Sequence, residues 1–153
     1  MKKTLFLLCA SALFLLSCEG PIGPPGEPGE GMNWKILTYT VHDRDWQLAG
    51  GPVGSLNSYY MYEFDEPLLT DFIYTSGVVS AYIIFNPGQS NEVQSPLPYI
   101  EPVGDRDSGG EFTWQEFYSF DFMPGSVAFY VHYSDFETGE RPPTCDFRIV
   151  LNW

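Results

Sequence analysis

The feature that most constrains this chain is an alternation of period two. Near the C-terminus Cys145, Phe147, Ile149, Leu151 and Trp153 take every second place. Val127, Phe129, Val131 and Tyr133 repeat the pattern upstream, and before them Phe112, Trp114, Tyr118, Phe120 and Phe122 share one parity that only Glu116 breaks. Successive side chains of an extended strand point to opposite faces, so each run predicts a strand with one face turned to a core. A helix would need its apolar residues three and four apart, and these runs do not supply that spacing.

The same reading extends towards the N-terminus. Leu37, Tyr39 and Val41 alternate with Ile36, Thr38 and Thr40, giving a first strand that resumes through Trp46 and Leu48 after an HDRD interruption. GGPVGSLN is a loop, Tyr60, Tyr62 and Phe64 mark a second strand, and Val79, Ala81, Ile83 and Phe85 mark a third that is apolar enough to be central. Between these two lies the one helical candidate, with Asp65 as its cap, Pro67 in its first turn, Leu68, Leu69, Phe72 and Ile73 on one face, and Gly77 as its stop. Each proline of QSPLPYIEP lacks a ladder donor, so that stretch is expected at a sheet edge or as an extended cover. Turn residues at short intervals complete the pattern of a mainly β protein. The expected architecture is a single antiparallel β-sandwich of about seven strands, immunoglobulin-like in the variant considered first, with one short helix. A lipocalin-like β-barrel is the alternative.

The first 31 residues are different in kind. Lys2 and Lys3 precede an apolar run from Leu5 to Leu16, too short to span a bilayer, and Leu15-Leu16-Ser17-Cys18 closes it. This segment resembles the lipobox of bacterial lipoproteins. The resemblance implies that the leader, residues 1–17, is cut off, that the Cys18 sulfur carries a diacylglycerol, and that the new amine is acylated. Two or three acyl chains, at about 0.8 kcal/mol per buried methylene, anchor stably where one does not. Gly20, Gly23, Gly26 and Gly29 then fall three apart in a collagen-like register. Four triplets are too short to hold a triple helix, so residues 18–31 read as a polyproline-like tether reaching on the order of 35 Å. The chain is thus similar to small bacterial lipoproteins of unknown function that carry a short Gly-X-Y segment before a compact domain, and FIYTSG and CDFRIVLNW also look like parts of such domains. The resemblance implies a bacterial envelope location, on the periplasmic or surface face of an outer membrane, and no activity.

The domain at 32–153 is expected to be single and monomeric. Without the leader the chain keeps Lys35, Arg44, Arg106, Arg141 and Arg148 against 20 acidic residues, a formal charge of −15. That balance argues against nucleic acid and against lying flat on an anionic membrane, both of which reward basic patches. Cys9 leaves with the leader and Cys18 is lipidated, so Cys145 is the one free thiol and no intrachain disulfide framework forms.

Candidate chemistry is sparse. Asp105, Asp107 and Glu116 fit the spacing of an EF-hand calcium loop, but Gly109 replaces a side-chain ligand, proline-rich chain replaces the entering helix, and Glu116 falls in a period-two run. A solvated hairpin turn is the favoured reading, and no metal or other cofactor is expected. His42 and His132 lack metal-ligand spacing, while Cys145, at an inward position without a nucleophile signature, reads as a small core residue. Acidic pairs such as Glu63 with Asp65, or Asp43 with Asp45, are a weak basis for a glycosidase in so acidic a chain, and no enzyme is expected. Two binding readings remain. One is a glycan module using an aromatic platform drawn from Trp34, Trp46, Tyr59, Tyr60 or Trp114, with core packing as the alternative role of each ring. The other is a structural or assembly lipoprotein docking on another envelope protein. The site expected for the sugar is Asp43, Asp45 and Trp46, at the end of the first strand away from the tether and beside a turn such as DRDSGG.

Overall fold

The HDRD interruption does more than break a strand, because there the chain changes layer. The computed structural model describes residues 31–107 and 109–153, and places strand β1 at Trp34–Val41, a 3-10 turn at Asp43–Asp45 and β2 at Gln47–Ala49. β1 lies in a four-stranded sheet and β2 in a five-stranded one. The expected leader, Cys18 and the tether up to residue 30 lie outside the described residues.

The remaining strands are β3 (Tyr59–Glu66), β4 (Val78–Phe85), β5 (Val93–Pro96), β6 (Tyr99–Asp107), β7 (Gly110–Met123), β8 (Gly125–Tyr133) and β9 (Cys145–Asn152). All pairings are antiparallel, in the orders β1-β9-β4-β5 and β2-β3-β8-β7-β6. The fold is therefore a β-sandwich with little helix, and neither sheet closes into a barrel. In an immunoglobulin-type sandwich the first strand pairs with the second; here it pairs with the last. Nine strands form where about seven were expected because two stretches split between layers. One is β1 and β2. The other is QSPLPYIEP, which bends at Leu97-Pro98 and supplies both β5 and β6, each an outer strand of its sheet. Proline tolerates those places since a missing N–H facing away from the ladder costs no bond.

The alternation of the sequence is the burial pattern of the strands. Cys145, Phe147, Ile149 and Leu151 of β9 are buried, as are Val127, Phe129, Val131 and Tyr133 of β8. These two central strands meet across the sandwich, where the rings of Phe129 and Phe147 stack at 4.0 Å and 11°. Tyr39 packs on Phe64 and Phe85 on Tyr99, so the sheets also face each other towards their edges.

The helix, α1, occupies Asp71–Ser76, later than expected. Asp65 stays in β3, and the turn after it forms because Glu66 accepts the Leu68 amide on its side chain (2.9 Å) and the Leu69 amide on its carbonyl (3.0 Å). Thr70 is the cap, accepting the Ile73 amide at 3.3 Å. Of the expected apolar face, Leu69 and Ile73 are buried, whereas Leu68 and Phe72 are exposed. Gly77 does end the helix, but for space: its backbone is extended, and a Cβ there would meet the carbonyl oxygens of Ile73 and Asn152 at 2.7 and 2.8 Å.

Candidate functional site

Strand direction decides which loops share an end. β1 runs from Trp34 to Val41, and Val41 lies opposite Cys145, where β9 begins. The connection from β8 to β9, residues 134–144, therefore sits at the end of the sandwich away from Trp34. There it forms one side of a cleft of about 550 Å³, and Trp114 and Glu116 of β7, with Tyr133 of β8, form the other.

The loop is held from below. Thr138 is fully buried; its hydroxyl donates to Ser58 Oγ (3.0 Å) and accepts the Gly54 amide (3.0 Å), and its carbonyl accepts the Tyr60 hydroxyl (2.8 Å). Asp135 and Glu137 turn back to accept the amides of Glu137 (3.1 Å) and Gly139 (3.0 Å). Phe136 takes a left-handed backbone angle, φ 60°, which non-glycine residues adopt at a cost that the surrounding bonds must offset. Arg141 donates to the Arg44 carbonyl at 2.8 Å.

The opposite wall centres on Glu116. It breaks the inward aromatic parity of β7 and accepts the Tyr118 hydroxyl at 2.6 Å and, at a long 3.4 Å, the Trp114 indole N–H. It also lies directly opposite Glu101 of β6, which accepts the Tyr99 hydroxyl. Like charges facing across a strand pair repel, and a tyrosine donor on each carboxylate offsets part of that. The neighbours feel the charge. Burial first, and then the bond to Glu116, raise the Tyr118 hydroxyl well above the ordinary tyrosine range. Burial first, and then the Glu116 charge, push the Cys145 thiol up to about 12.

The expected sugar site is not assembled. Trp46 is 1% exposed, its indole N–H donates to the Pro143 carbonyl at 3.0 Å, and its ring meets Phe147 edge-on. No face is left to stack on a ligand, so Trp46 is a core residue that props the cleft loop from behind. Asp43 turns to accept the Arg44 amide (2.8 Å), and Asp45 faces the Arg44 guanidinium at 3.7 Å. Neither lines the cleft. The DRDSGG turn joins β6 to β7, at the opposite edge of the five-stranded sheet from β2, which follows Trp46. Asp105 accepts the Arg106 amide and sits level with Phe112, four residues along the strand from Glu116, or about 13 Å. A single calcium ion cannot take both carboxylates. Among the described residues no group of three or more His, Cys, Asp and Glu is placed to hold a metal ion.

Of the other rings considered, Tyr60 is buried, Tyr59 is half-buried, and Trp34 is exposed at the start of β1. Trp114 alone stands half-exposed beside carboxylates in a cleft. The sequence did carry a mark of this place, since the residue that interrupts the aromatic parity of β7 is the carboxylate of the cleft. The arrangement offers a ring face and several acceptors of hydroxyl hydrogens, with Arg141 as the one basic side chain. A polyol fits that inventory and a polyanion is repelled. Comparison with protein-family models, curated proteins and solved structures found no match.

Proposed function

We propose that this chain is an envelope lipoprotein, anchored through Cys18, whose sandwich acts as a binding module for a neutral glycan held at Trp114. The observation that carries the reading is Trp114 beside Glu116 in a braced cleft at the end away from Trp34, where β1 begins three residues after the proposed tether. A lipid anchor fixes one end of the domain, and a tether of tens of ångströms presents the other. One sugar face stacks on the indole while hydroxyls donate to Glu116 and the loop carboxylates. The role proposed is binding, with the carboxylates that line the cleft as acceptors of sugar hydroxyls. A glycan array on the wild type and on Trp114→Ala is the test. Neutral glycans should be retained by the wild type and lost by the variant; retention by both, or only acidic glycans bound, contradicts the reading.

A second reading is docking on another envelope protein. It draws on a row across the outer face of the five-stranded sheet, where Tyr59 stacks on His132 at 4.7 Å and the register continues to Phe117 and Ile100. Crosslinking from a photoreactive residue at 117 distinguishes it, since a glycan module gives no protein adduct there.

A further inference from the structure

The four outer strands of the sandwich are not equally protected. β2 has three residues. β5 has four and ends at Pro96. β6 contains Pro102 opposite Gln115, whose amide and carbonyl both bond towards Ser134, so the donor that proline lacks is on the open side. Short strands and prolines are the usual means of making an edge a poor template for another strand. β1 has neither. It runs eight residues, WKILTYTV, without proline or glycine, and pairs with β9 residue for residue without a bulge.

Which of its backbone groups are open follows from one pair. Asn33 and Trp153 exchange both backbone bonds, at 2.8 and 3.0 Å. In an antiparallel ladder such pairs alternate, so Lys35, Leu37, Tyr39 and Val41 bond to β9, while Trp34, Ile36, Thr38 and Thr40 turn their N–H and C=O groups outwards. Among the described residues those outward groups have no backbone partner. The side chains of those four residues are uncharged and Lys35 is the one charge on the strand, so this edge carries no acidic group although the whole domain is strongly acidic.

We infer that β1 is a pairing edge for a second copy of this chain, related by a two-fold axis through Leu37. In that register Trp34 lies opposite Thr40 of the second copy and Ile36 opposite its Thr38. Both members of each pair are outward-facing residues, so about eight backbone bonds form and no outward group is left over. Lys35, which has no ion-pair partner among the described residues, comes opposite Tyr39 of the second copy, whose hydroxyl holds Glu66. The paired sheet is a continuous one of eight strands. Repulsion between two acidic bodies opposes it, but charges more than about 8 Å apart are largely screened at physiological salt. The expectation of a monomer rested on the shortness of the glycine triplets, and the open edge is a separate reason for association. Neither binding reading depends on it.

Sedimentation of the full-length protein at rising concentration tests the inference, together with Thr38→Pro and Thr38→Ala. The wild type and Thr38→Ala should pass from monomer to dimer. Thr38→Pro removes an outward donor from each copy without touching the β9 ladder, and should weaken association by roughly tenfold or more with the melting temperature kept. If the proline change disturbs folding, Ile36→Lys replaces it, leaving the backbone intact and charging the edge. Amide exchange adds a readout: protection at 34, 36, 38 and 40 should rise with concentration while that at 35, 37 and 39 does not change. A wild type that stays monomeric, a dimer that survives both edge variants, or a trimer set by the glycine triplets overturns the inference.

Discussion

Glu116 and Cys145 show how one side chain sets the chemistry around it. The thiol sits under the cleft, its sulfur 3.3 Å from the Pro143 carbonyl, and its proton is held by burial first and by the Glu116 charge second. The folded chain thus binds that proton more tightly than the unfolded chain, whose thiol loses it near pH 9. Its contribution to stability is complete below about pH 9 and is lost as pH rises towards about 12. Urea unfolding followed from pH 7 to 11 should show stability falling across the upper part of that range, with a shallower fall in Cys145→Ala. An equal slope in both would assign the alkaline loss to the raised tyrosines alone. At neutral pH the thiol should resist alkylation until the domain is denatured.

The connection between β8 and β9 is an ordered wall, braced at Thr138 and reached from behind by the Trp46 indole. Trp46→Phe keeps the ring against Phe147 but leaves the Pro143 carbonyl with only the weak Cys145 thiol as donor, which should cost about 1–3 kcal/mol in denaturant unfolding and weaken any ligand held by the cleft. Retained stability would show that the loop is braced without the indole bond, by Thr138 and the loop's own bonds. The strands whose parity runs unbroken, β8 and β9, were legible in the sequence since period two is the direct signature of one buried face. The layer change after β1 was not, because alternation says which face a residue takes and not which sheet it joins. Asp65 read as a helix cap for a related reason: its side chain can serve as one, but the Glu66 turn that delays the helix to Thr70 is a local bond that propensity does not encode. The role of Trp46 was hidden because its partner, Pro143, lies 97 residues away. Trp114 was visible as one ring among several, and its selection needed the cleft.

At the scale of the molecule the proposal has two separable parts, an anchor at Cys18 and a binding cleft in the domain. Acyl chains on Cys18 would be the membrane attachment, and among the described residues no helix is long and apolar enough to cross a bilayer. Cys18→Ser should abolish labelling by a palmitate analogue and release the domain from membranes, and an unlabelled, secreted wild type would end the lipoprotein reading. In the proposed glycan module the sugar is held at Trp114, and no other ring of the cleft replaces it. The direct measurement is a titration with neutral oligosaccharides that follows the indole N–H resonances of Trp34, Trp46, Trp114 and Trp153. Progressive shifts are predicted at Trp114, with Trp34 and Trp153 unmoved and Trp46 nearly so. Binding that leaves the Trp114 resonance in place, or that persists in a folded Trp114→Ala domain, would contradict it.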